Sequence, residues 1–158
     1  MFVRAAQPQD AEAAATVLRR SIVELCQADH RDDPETLRRW LSNKTPMHVR
    51  TWIADPGNWL VVAEEEGRIL GVAAMQTTGR INLNYVLPEA RFRGVSKALL
   101  TELERKARAL CLDACTLEST RTALAFYRGM GYTEAGDPQQ GLGVAVGFAM
   151  RKNLGTGT

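Results

Sequence analysis

The chain has 158 residues, the length of one ordinary domain, of which 45% are hydrophobic and 24% are charged. Those fractions are average for a globular protein and exclude the disordered and low-complexity classes. With 20 basic and 18 acidic residues the net charge is +2, too small to indicate a nucleic acid as partner.

The N-terminal segment and the cysteines indicate a cytoplasmic protein. The chain does not start with a charged leader followed by an apolar stretch, and no apolar run is long enough to span a bilayer. We therefore expect cytoplasmic localisation and no membrane partner. Cys26, Cys111 and Cys115 fall in apolar segments, which predicts reduced, buried thiols. Neither histidine has metal-ligand spacing to them, so we expect no metal site.

The first third of the chain is predicted to be helical after a short strand at residues 2–4. A helix is expected from Asp10, because apolar residues recur after it at helical spacing. A second helix is expected to begin near Asp32, which faces Glu35 in the pattern of a capping box. Thr45 and the proline after it open a third helix.

The rest of the chain alternates strands and helices. Three strands joined by hairpin turns are predicted at 59–63, 69–75 and 81–86. The later predicted elements are a long helix at 94–110, a strand at 115–118, a short helix at 122–128 and closing strands at 132–133 and 144–150, the last two joined by a glycine-rich loop expected to be mobile. Hairpins give antiparallel pairing, whereas a strand–helix–strand crossover gives parallel pairing. We therefore predict an α/β fold of the α+β type, with a mixed, mainly antiparallel central sheet flanked by helices, in a single domain over 1–158.

The segment most informative about chemistry joins the third of these strands to the long helix. A proline at position 88 ends the strand, and Gly94 opens the helix. The first-turn N–H groups of a helix have no intrahelical partners and carry partial positive charge. Arg91 and Arg93 add positive charge beside them. This arrangement suits a phosphate or diphosphate, and the alternative is a solvated arginine pair before an ordinary helix.

Two motifs follow each other between residues 86 and 132. The first combines a strand end, a Pro-Glu pair, an arginine, a glycine and a Leu-Leu pair, at Val86, Pro88, Glu89, Arg91, Gly94, Leu99 and Leu100. The second is Thr120-Arg121-Thr122-Ala123-Leu124-Ala125-Phe126-Tyr127-Arg128-Gly129-Met130-Gly131-Tyr132. In this order and spacing they resemble the GNAT superfamily of acetyl-CoA-dependent N-acetyltransferases.

The resemblance implies the GNAT fold and acetyl-CoA as co-substrate, held between two splayed strands. The residues that it assigns to acetyl-CoA are Tyr85, Val86, Leu87, Arg91, Phe92, Arg93, Gly94, Val95, Ser96, Lys97, Thr120 and Tyr127. Three of them depart from the family pattern: Phe92 replaces the usual glycine, Ser96 replaces glycine or alanine, and Thr120 replaces asparagine. None of these changes removes a backbone donor, so we expect binding to survive, with the Phe92 ring pointing away from the ligand.

The resemblance also implies catalytic roles. Tyr127 matches the family's general acid, which protonates the departing thiolate, and the alternative is an aromatic side chain that only packs its helix on the sheet. Asn84 is expected to orient the substrate or a water. Glu118 is expected either to relay protons or to cap the next helix, and no general base is assigned. Since the helical N-terminal region usually roofs the acceptor pocket, the candidate substrate contacts are Glu24, Asp29 and His30.

The expected reaction is direct attack of a primary amine on acetyl-CoA. A small-molecule acceptor is favoured because no acidic or basic docking surface is evident, and a protein N-terminus or lysine is the alternative acceptor. A non-catalytic acyl-CoA-binding or sensing module is a further alternative. A Rossmann-type nucleotide fold is disfavoured because the antiparallel hairpins precede the phosphate loop. A homodimer is possible, since dimers are common in the resembled family.

Overall fold

The computed structural model describes residues 1–155 and places eight strands in one sheet, with helices around it. The strands are β1 Phe2–Ala5, β2 Asn58–Glu65, β3 Arg68–Gln76, β4 Arg80–Val86, β5 Ala114–Ser119, β6 Thr133–Glu134, β7 Gln139–Gln140 and β8 Val146–Asn153. The helices are α1 Ala11–Leu25, α2 Gln27–His30, α3 Pro34–Leu41, α4 Pro46–Ala54, α5 Val95–Ala109 and α6 Leu124–Gly129. The strand order is β1-β2-β3-β4-β5-β8-β6, with β7 beside β8, and only β4 and β5 pair in parallel. This confirms the predicted fold class.

The core is built around β3, which is buried from residue 69 to residue 75. Because neighbouring side chains of a strand point to opposite faces, both faces of β3 must be covered. Helix α1 packs on β3 and β4, and α5 packs on β2 and β3. A Cβ at Gly71 would lie 2.8 Å from side-chain atoms of Val95 and Leu99. Glycine therefore lets the first turns of α5 approach the sheet closely, which fixes where that helix begins.

The start of α3 differs by one residue from the prediction. Asp33, not Asp32, caps the helix: its carboxylate accepts hydrogen bonds from the Thr36 N–H at 2.9 Å and the Thr36 hydroxyl at 2.6 Å. Asp32 has a φ of 54° and its side chain is exposed. Pro34 occupies the first helical position, where the missing N–H costs nothing. The predicted capping box was therefore wrong, although the predicted helix is present.

The parallel pair β4–β5 splits open after two registered positions. Arg80 lies opposite Thr116, and Ile81 lies opposite Leu117. Among the described residues, the two strands form no further registered pair after these. On their outer sides, β4 continues to pair with β3 as far as Val86, and β5 continues with β8. The two strands thus diverge toward the start of α5 and leave a wedge-shaped opening between them.

The C-terminal segment forms a hairpin where the sequence predicted a mobile glycine-rich loop. Gln139 and Gln140 form β7, which pairs with the start of β8. The Val144 N–H at the tip donates to the Thr36 hydroxyl at 3.0 Å, and so ties the hairpin to α3. The strand was missed because its glutamines and the glycines beside them have little β-propensity.

Two further sequence expectations concern cysteines and membranes. Cys26 and Cys115 are buried as predicted, but Cys111 is exposed, because it lies in the turn after α5 with a φ of 59°. Within residues 1–155, no helix has the length and apolar character needed to cross a bilayer. The same residues contain no group of three histidine, cysteine or acidic side chains placed to hold a metal ion.

Candidate active site

A cavity of about 550 Å³ lies in the opening between β4 and β5 and continues to the start of α5. It is lined by all the residues predicted to bind acetyl-CoA except Leu87 and Arg93. Leu87 is buried, and its N–H donates to the Leu70 carbonyl at 2.8 Å. Arg93 turns outward and holds the Glu65 carboxylate at 2.8 and 2.9 Å. All twelve positions stay a prediction, and ten of them line this cavity.

The first turn of α5 forms the anion-binding end of this cavity. Gly94 precedes the helix with a φ of 79°, a conformation that L side chains rarely adopt. A Cβ at Gly94 would meet nothing within 4 Å, so the space in front of the helix is open. The N–H groups that follow belong to Val95, Ser96 and Lys97, which line the cavity. These residues fit a diphosphate: open space, unpaired donors and the positive end of a helix dipole.

Phe92 leaves these donors uncovered. Its side chain is 89% exposed, and the Arg91 guanidinium stacks on the ring at 4.6 Å from the centroid. The backbone at Phe92 has a φ of 64°, in the left-handed region. Glycine, the usual residue of the resembled family, adopts this region without strain, whereas a residue with a Cβ does not.

Replacing Phe92 by glycine is expected to stabilise the fold relative to replacement by alanine. Both changes remove the exposed ring and its contact with Arg91, but only glycine relieves the strain of the left-handed backbone conformation. Left-handed strain costs about 1–2 kcal/mol and the extra entropy of an unfolded glycine offsets about 0.5–1 kcal/mol of it. In urea denaturation, the free energy of unfolding should therefore be about 1 kcal/mol higher for Phe92→Gly than for Phe92→Ala. Equal free energies of unfolding would show that the backbone here is not strained.

Tyr127 lies on α6 at the inner wall of the cavity and is 6% exposed. Burial raises the pKa of its hydroxyl to about 12, so the phenol stays protonated at neutral pH. The neighbouring Asn84 amide opposes that rise in pKa, although the geometry falls short of a hydrogen bond. Both polar atoms of the Asn84 side chain are buried without a partner among the described residues. Unpaired buried polar atoms are costly, which indicates that a ligand or a water satisfies them.

The loop before α6 is held by side chains from elsewhere in the fold. Thr120 accepts a hydrogen bond from the Ala123 N–H at 3.1 Å. The Asp29 carboxylate accepts from the N–H groups of Arg121 and Thr122, at 2.6 and 3.3 Å, and from the Thr122 hydroxyl at 2.5 Å. The alternative that Glu118 caps this helix was therefore wrong. Asp29 therefore fixes the loop that places Tyr127, and its predicted contact with substrate stays a prediction.

Asp29→Ala is expected to lower the free energy of unfolding by about 2–3 kcal/mol, because two partly buried N–H groups and the Thr122 hydroxyl lose their charged acceptor. Thr122→Val, which removes only the hydroxyl bond, should cost about 1 kcal/mol. Chemical denaturation of both variants tests this order. Equal losses for the two would show that the N–H bonds to Asp29 contribute little.

The other two candidate substrate residues have partners of their own. His30 is completely buried, its Nδ1 accepting from the Asp32 N–H at 2.9 Å and its Nε2 lying 3.0 Å from the Ile22 carbonyl. These contacts assign the proton to Nε2 and occupy both ring nitrogens. Glu24 is exposed and pairs with Arg20 at 2.9 Å. Neither side chain lines the large cavity, so their contact with substrate stays a prediction.

Cys26 is the cavity residue that most resembles a nucleophile, and sequence reasoning did not place it there. It comes from the end of α1 and lines the large cavity. Burial raises the pKa of its thiol to about 12. Because the thiolate is the reactive form, this cysteine is unreactive at neutral pH.

A second cavity, of about 210 Å³, adjoins the first and shares Tyr85 and Thr120 with it. Its other walls come from α2, α3, β5 and the C-terminal hairpin: Asp29, Trp40, Glu118, Ser119, Gly141, Leu142, Ala145, Val146 and Gly147. Trp40 is 8% exposed and packs in the core, but it also lines this cavity. The hairpin residues carry no local signal of chemistry, so the sequence did not identify them.

Known proteins resemble the chain over most of its length. A family model described as an acetyltransferase (GNAT) domain matches residues 26–154. The chain is 30% identical over 116 residues to the IAA acetyltransferase of Azospirillum brasilense, over 65% of this chain and 75% of that protein. It is 25% identical over 121 residues to the peptidyl-lysine N-acetyltransferase YiaC of Escherichia coli K12, over 67% of this chain and 80% of that protein.

A solved structure shares the fold almost end to end. The PaiA N-acetyltransferase of Thermoplasma acidophilum, crystallised in complex with coenzyme A, superposes with a TM-score of 0.79 at 18% identity, over 96% of this chain and 97% of that one. The family match covers well over half the chain and includes α5 and most of the residues that line the cavity. The chain therefore belongs to the GNAT acetyltransferases, enzymes that use acetyl-CoA as co-substrate.

Proposed function

We propose that this enzyme transfers the acetyl group of acetyl-CoA to the primary amine of a small molecule, by direct attack within a ternary complex. When bound, acetyl-CoA supplies an activated acetyl thioester. The first-turn N–H groups of α5 would hold its diphosphate, and the inner edges of β4 and β5 would hold its pantetheine. A main-chain N–H near Tyr85 or Val86 would polarise the thioester carbonyl.

The observation that supports the choice of acceptor is the small cavity beside the cofactor cavity. It holds about 210 Å³, the space of roughly seven water molecules. The hairpin that bounds it is tied to α3 through Thr36 and Val144. An extended peptide needs a longer groove than this, whereas a small amine fits.

Two protein groups that line the cofactor cavity fit the proton transfers of this reaction. The bound ammonium first loses a proton to water, which leaves a neutral amine. The amine nitrogen then bonds to the acetyl carbon, the carbon–sulfur bond breaks, and Tyr127 gives its proton to the thiolate. The amine then loses one proton, which returns through water to the Tyr127 oxygen. Burial raises the pKa of Tyr127 to about 12, so the phenol carries its proton at neutral pH, and the same shift makes it a weaker acid than an exposed tyrosine. Asn84, whose amide has no partner, would orient the amine or that water.

A lysine side chain of a protein is the second candidate acceptor, because one relative is named a peptidyl-lysine N-acetyltransferase. A module that binds acyl-CoA without transfer is the third. Release of free coenzyme A thiol distinguishes the three. The purified protein is incubated with acetyl-CoA in separate reactions, which contain small alkylamines, aminoglycosides, lysine peptides or no acceptor.

Thiol release that depends on small amines is expected. Release only with lysine peptides would replace the small-molecule acceptor with a protein. Calorimetric binding of coenzyme A without release on any acceptor would identify the binding module instead.

A further inference from the structure

Glu118 stands at the point where the sheet splits. Leu117 is the last residue of β5 in register with β4, and Glu118 comes directly after it. Glu118 lines the 210 Å³ cavity and also a cleft of about 50 Å³ that reaches Asn84 and Tyr127. Glu118, whose side chain is 47% exposed, thus borders both the proposed acceptor cavity and the cleft that contains the groups proposed to act on the thioester.

The neighbouring strand leaves room for this carboxylate. A Cβ at Gly147 on β8 would lie 1.8 Å from Oε1 of Glu118, far inside van der Waals contact. The φ of Gly147 is not in the left-handed region, so the backbone itself does not require glycine there. A side chain at position 147 would therefore displace the Glu118 carboxylate from its present position.

The carboxylate of Glu118 has capacity for a ligand. Its cationic neighbour is Arg80, whose Nη2 lies 3.9 Å from Oε2, beyond hydrogen-bond distance. The other acidic residue that lines this cavity, Asp29, already uses both oxygens on Arg121 and Thr122. Within residues 1–155, Glu118 is thus the acid of this cavity that can accept hydrogen bonds from an ammonium group.

The remaining side walls of the cavity are mainly apolar. Trp40, Leu142 and Val146 supply large hydrophobic side chains. An apolar stem buried there gains from leaving water, whereas further charges on the same ligand would be desolvated without a partner. The cavity therefore favours a single positive charge at its inner end and an apolar group behind it.

We propose that Glu118 binds the ammonium group of the acceptor, and that the acceptors are monocationic amines on a short apolar stem. The inference rests on the acetyltransferase function proposed above and names the substrate class of that same site. Glu118 then holds the amine beside Asn84 and Tyr127, and its exposed edge gives the departing proton a route to water.

The test uses phenethylamine as acceptor and two variants that remove the carboxylate in different ways. Glu118→Gln removes the charge, and Gly147→Ala keeps the charge but displaces the side chain. Each should raise the KM for the amine by roughly 10- to 100-fold, the effect of losing one charge-assisted hydrogen bond. The KM for acetyl-CoA should not change. Gly136→Ala is the matched control, because a Cβ there meets nothing within 4 Å, and it should behave as wild type.

A second measurement separates a charge contact from a structural role. The trimethylammonium derivative of phenethylamine cannot be acetylated, and it should inhibit wild type more strongly than its neutral tert-butyl isostere. Glu118→Gln should abolish that difference while its melting temperature stays near that of wild type. An unchanged amine KM in Glu118→Gln, or a difference that persists, would overturn the proposal.

Failure of the proposed function would look different from failure of this inference. If wild type releases no thiol with any amine, the transfer activity is wrong. Calorimetry of the two inhibitors with the coenzyme A-bound protein then decides the role of Glu118 without turnover. Preference for the cation in wild type but not in Glu118→Gln would support the binding site, and equal affinities in wild type would reject it. A wild-type enzyme that acetylates polycationic aminoglycosides better than phenethylamine would reject the substrate class.

Discussion

Replacing Tyr127 by phenylalanine is expected to lower kcat roughly 10²- to 10³-fold, because the thiolate then leaves without its proton donor. The KM for acetyl-CoA should stay within about two-fold, since the ring and its packing remain. Initial-rate kinetics with a saturating amine measures both quantities. Because burial raises the pKa of Tyr127 to about 12, the donor stays protonated below that pH. Loss of the Tyr127 proton should therefore not lower kcat of the wild type below about pH 11.

Tyr132→Phe is the matched control for this substitution. The Tyr132 hydroxyl donates to Glu104 at 2.8 Å, and the residue is 2% exposed within the core. Removing it should lower the melting temperature, because Glu104 loses a buried partner, but kcat of the folded enzyme should change little. An unchanged kcat in Tyr127→Phe would mean that Tyr127 only packs α6 on the sheet.

Ser96→Asp is expected to weaken coenzyme A binding by roughly 100-fold or more, through repulsion between the new carboxylate and the diphosphate. Ser96 is the second residue of α5 and lines the large cavity. A carboxylate in the first turn of a helix also interacts favourably with the helix dipole, by about 0.3–1 kcal/mol. The ligand-free variant should therefore melt at or above the temperature of wild type while it binds coenzyme A poorly. This combination excludes misfolding as the cause of weak binding.

Thr101→Asp provides the comparison for Ser96→Asp. Thr101 is exposed on the same helix, more than one turn further along, and does not line the large cavity. Thr101→Asp adds the same negative charge as Ser96→Asp, but at a position away from the predicted diphosphate site. Calorimetric titration with coenzyme A should give Thr101→Asp an affinity near that of wild type. If Ser96→Asp bound equally well, the diphosphate would have to lie away from the start of α5.

Local sequence signals predicted the fold well because most of its elements are periodic. The apolar spacing of α1 and α5 and the hairpin turns around β3 were sufficient to predict the sheet and its crossover. The cap of α3 was misassigned because two aspartates precede Pro34. Which of them bonds to Thr36 is decided by backbone geometry at the turn and not by residue type.

The cavity predicted to bind acetyl-CoA was easier to locate from the sequence than the proposed acceptor cavity, for the same kind of reason. The residues from 85 to 97 form one continuous strand–turn–helix segment, so their placement follows from local structure. The acceptor cavity depends on contacts such as Val144 with Thr36, which are distant in sequence. Asp29 and His30 were selected for their chemistry, and only the tertiary fold shows that neighbouring backbone groups already occupy them.

The divergence of β4 and β5 after Ile81 gives the native state an opening that a ligand can occupy. A molecule that occupies the opening binds the native state and not the unfolded chain, so it shifts the unfolding equilibrium by mass action. At a concentration 100-fold above its dissociation constant, such a ligand adds about 2.7 kcal/mol. With coenzyme A in that place, the enzyme's lifetime against heat and proteases would rise and fall with the cellular supply of its own acyl donor.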